Sequence, residues 1–189
     1  MLLALVAVLA VVTVPLTGGR LGRLAEVRFR APWLVLAGLG AQILVVSVVP
    51  DLPRWLAVTV HLLSYGLVLA FVWLNRRIPG LWLVGIGGLS NLLVIVVNGG
   101  VMPADAGALR TAGRSATESG FTNSEVVGHA HLRFLGDVLP LPSWLPFANV
   151  FSVGDVLIAV GVFVLVHGIC RDPARGSAAP SARDATTPQ

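Results

Sequence analysis

The chain has no lysine, one cysteine and few charged residues. Cys170 has no second cysteine to pair with, so an internal disulfide is excluded. Charged residues make up 12% of the 189 positions, whereas a soluble domain carries about 25%. Hydrophobic residues make up 56%, and the mean hydropathy is +0.86. The composition therefore excludes an ordinary water-soluble domain.

Long apolar runs take the place of the missing charges. A helix needs about 20 residues to cross a hydrocarbon layer about 30 Å thick. Five runs approach that length and predict membrane spans at residues 2–16, 33–49, 55–74, 81–98 and 153–169. We therefore expect an all-α integral membrane bundle over residues 1–170, with a long outer loop at 99–152.

The last residues, 171–189, differ from the rest in composition. From Asp172 onward they contain, apart from proline, no apolar residue larger than alanine. Such a segment cannot bury enough surface to offset the entropy lost on ordering. We expect a disordered cytoplasmic tail.

Arginine is distributed unevenly between the two sides that the spans define. One side carries Arg20, Arg23, Arg28, Arg30, Arg76, Arg77, Arg171, Arg175 and Arg183. The other side carries Arg54, Arg110, Arg114 and Arg133. Because short cytoplasmic connections are enriched in positive charge, we expect the N-terminus outside and the C-terminus in the cytoplasm of a bacterial inner membrane. The net charge of +4 therefore indicates the lipid bilayer as the partner, and no nucleic acid.

The segment Leu21–Phe29 alternates arginine with apolar residues. It would lie along the cytoplasmic interface, where arginine meets anionic headgroups. Alternatively, it is simply a positively charged loop that fixes the topology.

The outer loop contains one helical pattern. Thr122 and Glu125 have capping-box spacing, and apolar residues then recur at helical intervals. We expect a short interfacial helix from Asn123 to Leu135. Residues 104–120 are rich in small and polar residues and should be irregular. Trp144 and Phe147, in a proline-rich stretch, would anchor the loop at headgroup depth.

Three polar residues fall near the outer ends of the spans: Asn98, Asp137 and Asp155. Two carboxylates that meet can share a proton and activate water. The alternative is that each carboxylate has a structural role in its own part of the chain. Ser152 and Asp155 have the spacing of a helix cap, and Asp137 follows a glycine as turn residues do.

The remaining polar residues have simpler interpretations. His129 and His131 lie two positions apart and make a poor metal pair, so we expect neither a metal nor a cofactor. Gln42, His61 and Asn91 lie inside spans and should face the bundle interior. They would hydrogen-bond between helices or line a polar substrate path.

The outer motifs resemble an uncharacterised family of bacterial multi-pass membrane proteins with a domain of unknown function. They are Asn98-Gly-Gly-Val-Met-Pro103, Phe134-Leu-Gly-Asp-Val-Leu-Pro140 and Val150-Phe-Ser-Val-Gly-Asp-Val-Leu-Ile-Ala-Val-Gly161. The resemblance covers residues 1–170 and implies no activity.

The end of the chain is similar to lipoprotein signal peptidases. Asp137, a connection with prolines and aromatics, and Asn149-Val-Phe-Ser-Val-Gly-Asp155 precede the final span. The similarity implies an outer catalytic dyad of Asp137 and Asp155. Gly154 stands where that family has alanine, and its motifs Asn-x-Gly-Ala-Ala-Phe and Gly-Asn-x-x-Asp-Arg are missing.

Three functional hypotheses follow. In the first, the protein is not an enzyme, and its outer polar residues are structural or bind a small ligand or a membrane protein partner. In the second, Asp137 and Asp155 are the dyad of an intramembrane aspartic hydrolase, with Asn98, Gly99 and Gly100 at the substrate. In the third, the chain is a small-molecule transporter with a path along Gln42, His61 and Asn91.

Overall fold

The computed structural model describes residues 2–44, 52–114, 124–126, 128–145 and 148–171. These residues form seven α-helices: α1 (Leu2–Leu16), α2 (Arg23–Glu26), α3 (Trp33–Ile43), α4 (Arg54–Leu74), α5 (Leu81–Val97), α6 (Ala106–Thr111) and α7 (Val153–Arg171). Five of them, all but α2 and α6, lie on the five apolar runs, so the mainly helical fold is confirmed. The tail prediction falls on residues 172–189, outside the described part.

Two of these helices, α4 and α7, are long and apolar enough to cross a membrane. The helices α1, α3 and α5 are apolar but shorter. A five-span bundle therefore stays a prediction.

The bundle is built around the pair α5 and α7. The helix α1 packs on α7, α4 packs on α5, and α3 packs on α4. Glycines allow the two central backbones to approach closely. A methyl group on Gly161 would lie 2.7 Å from the Val84 nitrogen, and one on Gly154 would lie 2.6 Å from the Gly87 oxygen.

At one end of the bundle, which we call the arginine end, the last turn of α7 receives hydrogen bonds from the loop after α1 and from the start of α2. The Arg20 backbone N–H and the Arg23 guanidinium both donate to the Cys170 carbonyl, at 3.1 and 2.9 Å. Arg171 in turn donates to the Thr17 carbonyl at 3.1 Å. These bonds satisfy carbonyl groups that a helix end would otherwise leave unpaired.

The opposite end carries a small lobe, formed by the described residues between 101 and 152. Strand β1 (Met102–Pro103) pairs in parallel with β2 (Ser124–Glu125), and β3 (Leu139–Leu141) pairs antiparallel with β4 (Asn149–Phe151). A single 3-10 turn spans Arg133–Leu135. The lobe follows directly from the end of α5 and leads into α7.

The interfacial helix predicted at Asn123–Leu135 is wrong in the residues that the structure describes. Residues 124–125 are a strand, and Leu132 has a left-handed backbone with φ of 53°. Asn98 explains the difference, because its side chain binds both the N–H and the carbonyl of His131. Those tertiary bonds occupy groups that a helix would have used.

The irregular structure expected for residues 104–120 is also wrong in part, because α6 lies within it. The Asp105 carboxylate accepts from the Ala108 N–H at 2.9 Å and caps this helix. Gly113, with φ of 69°, ends it.

Candidate functional site

Asp155 lies in the first turn of α7, at the lobe end of the bundle, and takes part in capping that helix. The Asp155 N–H donates to the Ser152 hydroxyl oxygen at 2.9 Å. The Ser152 N–H donates back to the Asp155 carboxylate at 3.2 Å. This reciprocal pair is a capping box, so the local interpretation of Asp155 is confirmed.

Asn91, from the middle of α5, completes the hydrogen bonding of that cap. Its amide nitrogen donates to the second Asp155 oxygen at 2.8 Å, and its amide oxygen accepts from the Ser152 hydroxyl at 2.8 Å. Asn91 is 2% exposed and Ser152 is 0% exposed. Both carboxylate oxygens of Asp155 are therefore engaged within the protein.

Asp137 approaches the same region from the lobe. It is 6% exposed, and its backbone bonds with Pro103 and Asp105 hold it beside β1, at 2.9 and 3.0 Å. Tyr65, on α4, lies near Asn91, Asp137 and Asp155. We call Tyr65, Asn91, Asp137, Ser152 and Asp155 the polar cluster.

Tyr65 is the member of the polar cluster that sequence reasoning missed. It is the only tyrosine of the chain. It lies one helical turn after His61, and the two rings meet edge to face at 5.3 Å. That i, i+4 spacing from a histidine inside an apolar run was the available indication.

Asn98, Gly99 and Gly100 have a structural role in the described part of the chain. Gly99 and Gly100 have φ of 70° and 96°. Their N–H groups bond back to Val96 and Ile95, at 3.2 and 2.8 Å, as in a Schellman motif. Asn98 binds the His131 backbone at 2.8 and 2.9 Å. The arrangement attaches the lobe to the end of α5.

The three polar residues proposed to line a substrate path make separate contacts. Gln42 donates to the Ser64 hydroxyl at 2.9 Å, which joins α3 to α4. Asn91 joins α5 to α7. His61 is buried, at 2% exposure, against Tyr65. Gln42 and Asn91 thus make the helix-to-helix hydrogen bonds of the simpler interpretation.

The lobe also contains an ion pair. Arg133 binds the Asp105 carboxylate. The pKa of Asp105 is lowered, first by the hydrogen bond from the Ala108 N–H and then by the one from Arg133. Among the described residues, no three His, Cys, Asp or Glu side chains gather as metal ligands, and His129 is exposed.

Comparison with known proteins gives a family and no activity. An uncharacterised protein of Thermotoga maritima is 32% identical over 127 residues, which is 66% of this chain and 72% of that protein. No solved structure matches the chain. Residues 26–167 match a family described only as of unknown function, DUF5317. The bundle helices α3, α4 and α5, most of α7, the lobe and the polar cluster fall within that match, and the chain belongs to the DUF5317 family.

Proposed function

We propose that this is an integral protein of the bacterial inner membrane that is not an enzyme. It crosses the bilayer five times, with its N-terminus and lobe outside and its C-terminal tail in the cytoplasm. The polar cluster joins the lobe to the bundle. The lobe presents a surface to a small ligand or to a membrane protein partner.

The tryptophans are the observation that carries the membrane part of this proposal. Tryptophan is enriched at both interfaces of a bilayer. On α4, Trp55 and Trp73 lie at opposite ends and are 70% and 66% exposed. Their 18-residue separation corresponds to about 27 Å at 1.5 Å per helical residue, which is close to the hydrocarbon thickness.

The other three tryptophans repeat the pattern. Trp33 begins α3 and Trp82 lies at the start of α5, both at the arginine end with Trp73. Trp144 lies in the lobe, at the end that Trp55 shares. All three are more than half exposed. Two aromatic belts with apolar, exposed helix surface between them are typical of a bundle in lipid.

The hydrogen bonds of the polar cluster support the non-enzymatic part. A catalytic carboxylate needs an oxygen available to water or substrate. Both oxygens of Asp155 are used, by Asn91 and by the Ser152 N–H. A buried, satisfied network of this kind is suited to fixing one arrangement of helices.

Cysteine labelling tests the topology. Replacing Cys170 with alanine removes the only thiol, after which Ser143→Cys reports the lobe and Arg20→Cys reports the arginine end. We expect a membrane-impermeant maleimide to label Ser143→Cys in intact spheroplasts and Arg20→Cys only after lysis. The protein should stay in the pellet after carbonate extraction.

The reverse labelling pattern would contradict the proposed orientation, and release into the carbonate supernatant would contradict membrane integration. Labelling both positions after lysis is the control that each cysteine can react.

The aspartic hydrolase remains the second candidate, because Asp137 is a second carboxylate near Asp155 and is 6% exposed. A dyad requires two carboxylates that share one proton. The proposal and this alternative predict different effects of replacing aspartate with asparagine. Asparagine can keep a hydrogen bond but cannot serve as a general base.

Complementation of a deletion strain separates the two. We expect Asp137→Asn and Asp155→Asn to complement to the extent that their membrane abundance is preserved on immunoblots. Asp105→Asn, which changes a partly exposed carboxylate outside the polar cluster, is the matched control. A dyad predicts that both cluster variants fail at wild-type abundance while the control complements.

A further inference from the structure

A basic pocket lies at the arginine end, away from the polar cluster. Its volume is about 260 Å³, and it opens between the segment before α3 and the turn that joins α4 to α5. The lining residues are Arg28, Arg30, Leu74, Asn75, Arg76, Arg77 and Ile78. Four of the seven are arginines, and none is acidic.

Asn75 holds the two walls of this basic pocket together. Its side-chain oxygen accepts from the Arg30 N–H at 2.7 Å, and its nitrogen donates to the Arg30 carbonyl at 2.9 Å. These bonds join residues 45 positions apart, and Asn75 is 4% exposed. Next to these hydrogen bonds in the sequence, Phe29 packs against Phe71 with ring centroids 5.7 Å apart. The pocket is therefore a consequence of tertiary structure and is held in shape.

The charges of the basic pocket are not neutralised within the described part of the chain. There, the ion pair of Arg133 with Asp105 lies in the lobe, at the other end of the bundle. Arg28, Arg30 and Arg77 are exposed at the pocket. Arg76 stacks 4.5 Å over the Trp73 ring and donates to the Trp73 carbonyl at 2.9 Å, so its guanidinium is oriented. Four arginines and no acidic residue among the seven lining residues make this a strongly positive site.

A phosphate group fits this chemistry better than other anions. The planar guanidinium makes two parallel hydrogen bonds to phosphate oxygens, and clustered arginines are the usual recognition element for phosphate. A cavity of 260 Å³ accommodates a phosphate with a short substituent, whereas a long acidic segment would not enter it.

We propose that the basic pocket binds the phosphate group of an anionic phospholipid headgroup or of a soluble phosphate ester. The lipid source rests on the proposed membrane topology, which places the pocket at the cytoplasmic interface beside Trp73. Basic pockets between helices on that side of a membrane hold anionic headgroups. Binding of phosphate itself does not depend on the topology.

The test uses the full chain purified in a neutral detergent and native mass spectrometry with three probes: phosphatidylglycerol, phosphatidylcholine and inorganic phosphate. We expect retention of phosphatidylglycerol over phosphatidylcholine. Arg77→Gln should weaken that retention by about tenfold, the change that corresponds to about 1.4 kcal/mol. Arg77→Lys keeps the charge without the two-pronged geometry. Its retention of phosphatidylglycerol should therefore be weaker than that of the wild type and stronger than that of Arg77→Gln.

Arg20→Gln is the matched control, because Arg20 is exposed at the same end but does not line the pocket. It should leave retention unchanged. Arg28→Gln is the second pocket variant, and unchanged thermal unfolding of each variant shows that the fold is retained. Equal losses in Arg77→Gln and Arg20→Gln, or no retention of either phosphatidylglycerol or inorganic phosphate, would overturn the proposal.

The probes distinguish the two sources and the two proposals. Competition by millimolar inorganic phosphate that depends on Arg77 would support a soluble phosphate ester. Retention of phosphatidylglycerol without such competition would support a lipid. A chain released by carbonate that still binds phosphate through Arg77 would overturn the membrane proposal and leave the pocket standing. A membrane-integrated chain without Arg77-dependent binding would overturn the pocket proposal and leave the membrane proposal standing.

Discussion

Gly154→Ala is expected to destabilise the protein by about 3 kcal/mol, near the upper end of the range for overpacking a close-packed interior. The added methyl group would lie 2.6 Å from both the Gly87 oxygen and the Asn91 side-chain carbon. The first of these atoms is backbone, so relief requires α5 and α7 to separate. Separation would also pull Asn91 away from Asp155. The measurement is the free energy of unfolding in detergent, followed by tryptophan fluorescence.

Gly66→Ala is the matched control for that substitution. Gly66 also lies within a helix, on α4, but a methyl group added there would meet no other part of the molecule within 4 Å. Alanine is favoured over glycine in a helix by up to about 1 kcal/mol, so this variant should be neutral or slightly stabilised. If Gly154→Ala unfolds at the wild-type midpoint, α5 and α7 are not in the contact described.

Asn91→Leu is expected to cost about 2.5–4 kcal/mol. A hydrogen bond to a charged group contributes about 1.5–3 kcal/mol and a neutral one about 1 kcal/mol, and Asn91 makes one of each, to Asp155 and Ser152. Leucine has the same number and branching of side-chain heavy atoms as asparagine, so the substitution removes the hydrogen bonds without leaving a cavity. The free energy of unfolding is measured as for Gly154→Ala.

A double-mutant cycle with Asp155→Leu assigns the loss to the pair. We expect a coupling of more than about 1 kcal/mol between positions 91 and 155. Thr59→Val is the control, because its hydroxyl is exposed and bonds to the carbonyl of Trp55 on its own helix; it should change stability by less than about 0.5 kcal/mol. Additive effects at 91 and 155 would show that the network does not hold α5 to α7.

The five helices on the apolar runs could be predicted from the sequence, because hydropathy is a property of each run by itself. The predicted span 55–74 and α4 at Arg54–Leu74 differ by one residue at the start. The cap at Ser152 and Asp155 was predictable for the same reason, since its partners are three residues apart.

The lobe could not be predicted in this way. The apolar spacing after Thr122 favoured a helix, but Asn98 binds the backbone of His131, 33 residues away. No local pattern reports that bond. For the same reason, the sequence did not predict that Tyr65 lies in the polar cluster. Nor did it predict the hydrogen bonds of Asn75 to the Arg30 backbone.

Composition and the order of residues along the chain were enough to establish a helical, strongly apolar protein with most of its arginines on one side of the expected spans. Those properties arise from neighbouring residues and from the solvent they require. The pairing of Asn91 with Asp155, 64 positions apart, and the basic pocket came only from the packed molecule. They depend on how closely α5 meets α7 and on which loops meet the helix ends, and contacts across such distances are decided when the helices pack.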